Sequence, residues 1–304
     1  MKKFISLVAA FGIFLFVVRP GFAAEELAKI ADNVYAYVGG KEPATPANSY
    51  GANAGIVIGK DGVLVVDALI SAKEADRFIA DIRKVTDKPI RYVVDTHYHP
   101  DHAFGNSEFL KLGAVIIAST RDKEALAKNG DAALKNMQSM GLSAEDMRGT
   151  ELAVPTLSFS DRMTVDLGDE KVELIYPGPS HSDGSALVLL PKEKILFSGD
   201  ALFTDYHPYM ADGNIPAWLK TLDFVQKLDV TVIIPGHGPL STKKDVADLK
   251  SYIQIFDAQA RRLASRLKDP QQIADQLKKV LPQRSHLEWA IAENVRIKYL
   301  SRQK

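Results

Sequence analysis

Seven residues constrain this chain more than any others: Thr96-His97-Tyr98-His99-Pro100-Asp101-His102, directly after the apolar run 90–94. With Tyr92, Val93 and Val94, that run reads as a buried strand. The strand has to end at the histidines, because Pro100 has no N–H for a ladder and presets the backbone for a turn or a helix start. His97 and His99, two apart on an extended segment, point to one side and can grip one ion. Asp101 and His102 lie past the turn, at the start of a short helix, and face a neighbouring position. One junction therefore seeds two metal sites. A structural role is the weaker reading, since three buried imidazoles and a carboxylate would each need a polar partner.

The other candidate ligands also stand where apolar strands stop, which is where open sheets place ligands. His181 follows Tyr176-Pro177-Gly178-Pro179-Ser180, Asp200 follows Leu196-Phe197-Ser198-Gly199, and His237 sits in Pro235-Gly236-His237-Gly238-Pro239. Each is weak alone, because an Asp after a glycine is usually a turn residue. Taken together they make seven ligands and use five of the seven histidines in the chain.

Asp67, His97-x-His99-x-Asp101-His102, His181, Asp200 and His237, in that order, resemble the five motifs of the metallo-β-lactamase fold superfamily. The resemblance runs from about Val34 to Pro239. It implies an α/β fold, a four-layer αβ/βα sandwich of two mixed sheets with helices outside, and a dinuclear centre at one edge. It implies further that His97, His99 and His181 hold one metal, that Asp101, His102 and His237 hold the other, and that Asp200 bridges them. One class of the β-lactamases carries cysteine at the bridging position, and this chain has none. The ligand set is similar to that of glyoxalase II, the acyl-homoserine lactonases and exported hydrolases of quinoprotein relay systems. The lactonases have a tyrosine where this chain has Phe203.

Nitrogen and carboxylate donors without thiolate suit zinc, with iron or manganese also possible. The expected cofactor is two zinc ions per chain, with Asp101 and Asp200 as candidate catalytic residues. Two ions roughly 3.5–4 Å apart share a hydroxide and lower its pKa from 15.7 to about 7, which provides a nucleophile for a carbonyl ester, thioester or amide. Asp67 and Asp95 are candidates for hydrogen bonds to the ligand imidazoles, and His207 for a contact to a small-molecule substrate. The alternatives are a mononuclear iron persulfide dioxygenase, a β-lactam- or lactone-hydrolysing enzyme, and a metal-binding partner protein without catalysis. Nothing in the chain selects the substrate or the oligomeric state.

The N-terminus reads as a secretory signal over residues 1–23. Lys2 and Lys3 come first, then an apolar run to Val18 that is shorter than the roughly 20 residues of a spanning helix, then the small-residue site Gly21-Phe22-Ala23. Its loss takes Lys2, Lys3 and Arg19 and no acids, so a chain of 38 basic and 38 acidic residues becomes about −3. No basic run marks a nucleic-acid surface. The absence of cysteine rules out a disulfide framework and suits a periplasmic protein held by its core alone, with no stable membrane association after cleavage.

From Ala31 to Asp67 strands follow one another, with Asp61-Gly62 marking a hairpin and a Pro- and Gly-punctuated loop over residues 41–54. Ser71 and Glu74 form a capping-box pattern before the helical face Ala75, Phe78, Ile79 and Ile82. A helical, charged stretch covers 121–147, and 155–167 reads as extended. After Pro239 the pattern turns helical, with faces at Val246–Phe256, Ile273–Val280 and Leu287–Tyr299. The expected division is residues 24–240 as a catalytic domain and 241–304 as a helical extension packed on it. In that extension His286 is expected to be exposed, and Trp218 on the helix at 216–228 is expected in the core.

Overall fold

The computed structural model describes residues 27–39 and 44–301. The signal segment 1–23 and part of the 41–54 loop lie outside the described residues. Two mixed sheets are built from strands whose alternation buries one or both faces. The first has seven strands in sequence order: β1 (Ala28–Ala31), β2 (Val34–Ala36), β3 (Gly55–Gly59), β4 (Gly62–Val66), β5 (Ile90–Val94), β6 (Val115–Ser119) and β7 (Leu157–Phe159). It is antiparallel up to β4 and parallel beyond. The second has five: β8 (Arg162–Asp166), β9 (Lys171–Ile175), β10 (Leu187–Leu190), β11 (Ile195–Phe203) and β12 (Val232–His237). In that sheet only β11 and β12 run parallel.

Between the sheets lies a dry layer in which Val57, Leu64, Val66, Val94 and Ile117 of the first meet Leu174, Val188, Phe197 and Ile234 of the second. Helices α1 (Ala72–Val85) and α3 (Asn106–Lys111) cover the outer face of the first sheet with Ala75, Phe78, Ile82 and Phe109. The outer face of the second is covered by α5 (Ile215–Lys227), α6 (Lys243–Ala264), α7 (Pro270–Leu277) and α8 (Trp289–Val295). This is the four-layer αβ/βα sandwich that the resemblance implied. The short α2 (Pro100–Ala103) and the longer α4 (Thr120–Lys135) complete the set.

Local chemistry sets most boundaries. Ser71 caps α1 by accepting from the Glu74 N–H at 3.3 Å, but Glu74 pairs with Arg77 at 2.9 Å instead of completing the box. Thr242 and Asp245 do form a capping box at the start of α6. The helical stretch expected over 121–147 stops at Lys135, and a 3₁₀ turn, Met137–Met140, ends on Gly141 in the left-handed region. The 44–54 segment is not featureless: a 3₁₀ turn spans Pro46–Gly51, with Ser49 and Tyr50 also left-handed.

The C-terminal helices clamp the loop after β11. The His207 N–H donates to the His286 carbonyl at 2.9 Å, and His207 Nδ1 meets the Tyr252 hydroxyl at 2.7 Å. The Asn294 side chain accepts from Met210 N–H at 2.6 Å and donates to the Pro208 carbonyl at 2.8 Å. His286 is buried and stacked on Tyr206, with ring centroids 4.3 Å apart, rather than exposed as its charge-rich surroundings suggest. Trp218 is fully buried in the core, its Nε1 donating to the Ala201 carbonyl at 2.9 Å.

Asn294→Ala would strand a buried N–H at Met210 and the Pro208 carbonyl together. The expected loss is about 1–3 kcal/mol of unfolding free energy, read from urea denaturation against the parent chain. An unchanged midpoint would show that the clamp is not held by this side chain.

Candidate metal centre

Seven side chains converge from the exit of β5, the loop after β9, the middle of β11 and the end of β12. Their donor atoms fall into two groups, His97, His99, His181 and Asp200 in one and Asp101, His102 and His237 in the other, each within 4.8 Å. In the first, His99 Nδ1 lies 3.1 Å from His97 Nε2 and 2.8 Å from His181 Nε2. Asp200 Oδ2 lies 3.6 Å from His97 Nε2 and 3.3 Å from His181 Nε2. In the second, Asp101 Oδ2 lies 3.5 Å from His102 Nε2 and 3.3 Å from His237 Nε2. Asp200 Oδ1 faces the same two nitrogens at 3.2 and 3.5 Å. Asp200 thus turns one oxygen to each group.

The spacings around Asp101 and Asp200, 3.2 to 3.6 Å, fit a shared metal better than mutual hydrogen bonding, while His99 stands closer to its two neighbours. Four donors about 2.0–2.2 Å from one ion stand roughly 3.3–3.6 Å from one another in a tetrahedron. Two buried atoms aimed inward, His102 Nε2 and Asp200 Oδ1, have no hydrogen-bond partner, and such orphans are rare without a ligand. Charge points the same way, because Asp67, Asp101 and Asp200 are gathered in one enclosed place and call for compensating cations.

Which ring nitrogen faces inward is set from behind. Asp67 accepts from the Thr96 N–H at 2.7 Å and the Thr96 hydroxyl at 2.8 Å, and its Oδ2 lies 2.9 Å from His102 Nδ1. That places the His102 proton on Nδ1 and leaves Nε2 free to coordinate. The Thr96 hydroxyl in turn lies 3.2 Å from His97 Nδ1. Asp67 holds these contacts from a left-handed backbone, φ 63°, a strain that persists only where surroundings over-determine it. Phe203 stacks flat on His237 at 5.2 Å.

Titration follows the same geometry. Burial, then the neighbouring His102 and His99, push the His97 imidazole well down, and burial brings His181 down to about 3. Both are neutral and available as donors at pH 7. Burial alone would raise the Asp101 and Asp200 carboxyls, but the surrounding imidazoles hold both below the usual carboxylate range. Burial would likewise lower His102, yet Asp101, Asp200 and Asp67 hold it well up.

Glycines let the strands approach. A Cβ at Gly236 would run into Asp200 Oδ1, and one at Gly199, itself at φ 49°, into the Thr96 side chain. Gly-Asp and Gly-His pairs at these strand ends are therefore packing requirements of the centre.

Two expected residues lie elsewhere. Asp95 does not reach an imidazole: its Oδ2 accepts from Asn106 at 2.7 Å, and burial, with Asp122 nearby, pushes its carboxyl well up. His207, expected to touch substrate, is 6% exposed and turned toward Tyr252 of α6 because the C-terminal helices bury its loop. Two residues were not read from the sequence. Asp212 accepts from Tyr98 at 3.1 Å and meets His99 Nε2 at 2.9 Å, so His99 presents Nδ1 to the centre. Its Asp-Gly context reads only as a turn. Asn53 donates to the Pro235 and Gly238 carbonyls at 2.8 and 2.9 Å and fixes the loop that bears His237. A single Asn among small residues carries no such signal. A polar cavity of about 700 Å³ lies beside Asp212, lined by Asn214, Asp257, Arg261 and Lys298, and includes none of the seven converging residues.

A family model described as the metallo-beta-lactamase superfamily matches residues 48–237. The linear primary-alkylsulfatase of Pseudomonas sp. (strain ATCC 19151) is 26% identical over 222 residues, 62% of this chain and 42% of that one. The chain thus spans less than half the length of that relative. The metallo-beta-lactamase type 2 of Elizabethkingia meningoseptica is 22% identical over 217 residues, 70% of this chain and 78% of that one. A solved metallo-beta-lactamase from Pontibacter korlensis superposes with a TM-score of 0.61 at 21% identity, covering 75% of this chain and 98% of its own. That likeness speaks for the fold.

Asp212→Ala is expected to lower the affinity for a divalent metal roughly 10- to 100-fold, the usual cost of losing a carboxylate behind a ligand histidine. Its side chain is 45% exposed, so thermal unfolding of the metal-free protein should barely move. Competition with a chelating dye measures the first, and an unchanged affinity would remove Asp212 from the centre.

Proposed function

The chain belongs to the metallo-beta-lactamase superfamily, and from that premise we propose that it is an exported hydrolase that uses two zinc ions to cleave a carbonyl ester, thioester or amide of a small molecule. The observation that carries this reading is Asp200, whose two oxygens face two separate donor groups. His97, His99 and His181 would hold one ion and Asp101, His102 and His237 the other, with Asp200 between them. Bound there, the ions supply Lewis acidity toward a carbonyl and lower the pKa of water from 15.7 to about 7.

The chain's own residues prepare the site for that chemistry. Asp67 and Asp212 fix the proton positions on His102 and His99, so neither of those two rings has to change tautomer when it binds. Asp101 and Asp200 stay ionised at neutral pH, because the imidazoles around them favour the charged form. Burial of His97, His102, His181 and His237 keeps the centre in a low-dielectric setting, where developing charge on a tetrahedral oxygen is stabilised more strongly than in water. The convergence of Asp101, His102 and His237 into a second group favours the two-metal reading over a mononuclear iron dioxygenase.

Asp200→Ala is expected to leave at most one zinc per chain by elemental analysis. Turnover should fall by more than roughly 100-fold, beyond the usual loss for a residue one shell further out. The assay is a panel of chromogenic ester, thioester, amide, lactone and β-lactam substrates with zinc-loaded protein. A linear alkyl sulfate joins the panel because one relative is named for that substrate. Two zinc ions retained in the variant, or no turnover of any substrate by the parent, would sink the proposal. Export predicts that the mature chain begins at Ala24. Sequencing the N-terminus of protein recovered from the extracytoplasmic fraction tests it, and an intact Met1 there would count against cleavage.

A further inference from the structure

Three aromatic side chains from distant parts of the chain meet at one edge of the metal centre, where Tyr209 touches it. Tyr209 stands with its ring 5.8 Å from His99 and 6.4 Å from His181, beside the first donor group. Tyr50 sits on the 3₁₀ turn that packs against α2, the helix that carries Asp101 and His102 of the second group, and its hydroxyl donates to the Met140 carbonyl at 3.4 Å. Trp289 joins them, with centroids 6.3 Å from Tyr50 and 6.2 Å from Tyr209 at tilts of 50° and 46°. Both tyrosines meet the indole at an angle, and the indole remains 52% exposed. It is the one aromatic among the exposed large apolar side chains of the described residues.

The half-exposed indole is not a lone surface side chain: it joins two tyrosine rings, one of them against His99 and His181, and apolar groups clustered beside a polar centre mark ligand sites. The backbone adds a second observation. Ser49 and Tyr50, at φ 57° and 52°, and Leu287, at φ 56°, hold left-handed conformations that ordinary side chains avoid. These are the segments that present Tyr50 and Trp289. The Ser49 strain is pinned by the Ile70 N–H donating to its hydroxyl at 3.1 Å. Strain of this kind gathers where a side chain must be aimed.

We propose that Tyr50, Tyr209 and Trp289 form a subsite for a flat aromatic group next to the scissile bond, which stacks on the open face of Trp289 while the bond lies over the metal centre. This rests on the hydrolase reading and narrows its substrate class to esters, thioesters or amides bearing an aryl group. The exposed face suits offset stacking, an interaction stronger than its buried area alone implies.

The chain has two tryptophans, one buried at 218 and one exposed at 289, so red-edge fluorescence reports Trp289 directly. Phenylacetate titrated into the full-length protein, with and without zinc, should quench and blue-shift the red component at concentrations where acetate has no effect. In parallel, the preference for a phenylacetyl over an acetyl ester should fall about three- to tenfold in Trp289→Ala and return in Trp289→Phe. Val280→Ala, another exposed apolar position, serves as the control and should match the parent in both readings. No fluorescence change, an equal response to hexanoate, or an unchanged preference in Trp289→Ala would overturn the subsite. So would a shift that depends on protein concentration without ligand, which would mean that a second copy of the chain covers the rings. A phenylacetate response in a protein that hydrolyses no ester would support the subsite while the hydrolase reading fails. Ester hydrolysis with no such response would do the reverse.

Discussion

One buried carboxylate ties the site to the scaffold. Asp67 leaves the end of β4 in a left-handed conformation and reaches across to β5's exit, where it takes three hydrogen bonds, two from Thr96 and one from His102. Each of those donors belongs to the Thr96–His102 turn, so a single side chain sets where the turn lies and which nitrogens of His102 and, through Thr96, of His97 face inward. A charge buried without such partners would be strongly destabilising, and with them it becomes a rigid joint.

From that joint the rest of the centre is assembled by strand ends drawn together. β11 and β12 run side by side and deliver Asp200 and His237 from adjacent positions, while β9's exit loop brings in His181. The glycines at 199 and 236 permit the approach, since any side chain there would displace Asp200 or Thr96. Asn53 closes the arrangement from the first sheet by bonding both sides of the His237 loop. The metal ligands are thus held by both sheets at once, and the site depends on how the two sheets are stacked.

The C-terminal helices do more than cover the outer face of the second sheet. They grip the 204–210 loop through Asn294, Tyr252 and His286, and that loop carries Tyr209 to the edge of the centre. His207 belongs to this grip, and a reading that places it on substrate mistakes a packing histidine for a contact. Trp289 reaches the same edge from the first turn of α8. The elements that shape the mouth of the site are also those that hold the C-terminal helices in place.

The candidate ligands, their order, Ser71 as the cap of α1 and the capping box of α6 were legible in the chain, whereas the Glu74 half of the box expected at α1 went to Arg77. These depend on short-range rules: periodicity, the missing N–H of Pro100, and the cost of burying unpartnered histidines. Other features depend on residues far apart in sequence that meet only after folding. Asp212 lies 113 positions from His99 and Asn53 lies 185 from Gly238, and neither carries a local pattern that separates it from a turn residue. Asp95 illustrates the converse, a plausible neighbour of the histidines that alternation along β5 turns toward Asn106 instead. By itself the sequence determined which atoms can bind metal. Only the tertiary structure decided which nitrogens His99 and His102 present, and which aromatic rings stand at the edge of the centre, because those choices are made by contacts between elements and not within them.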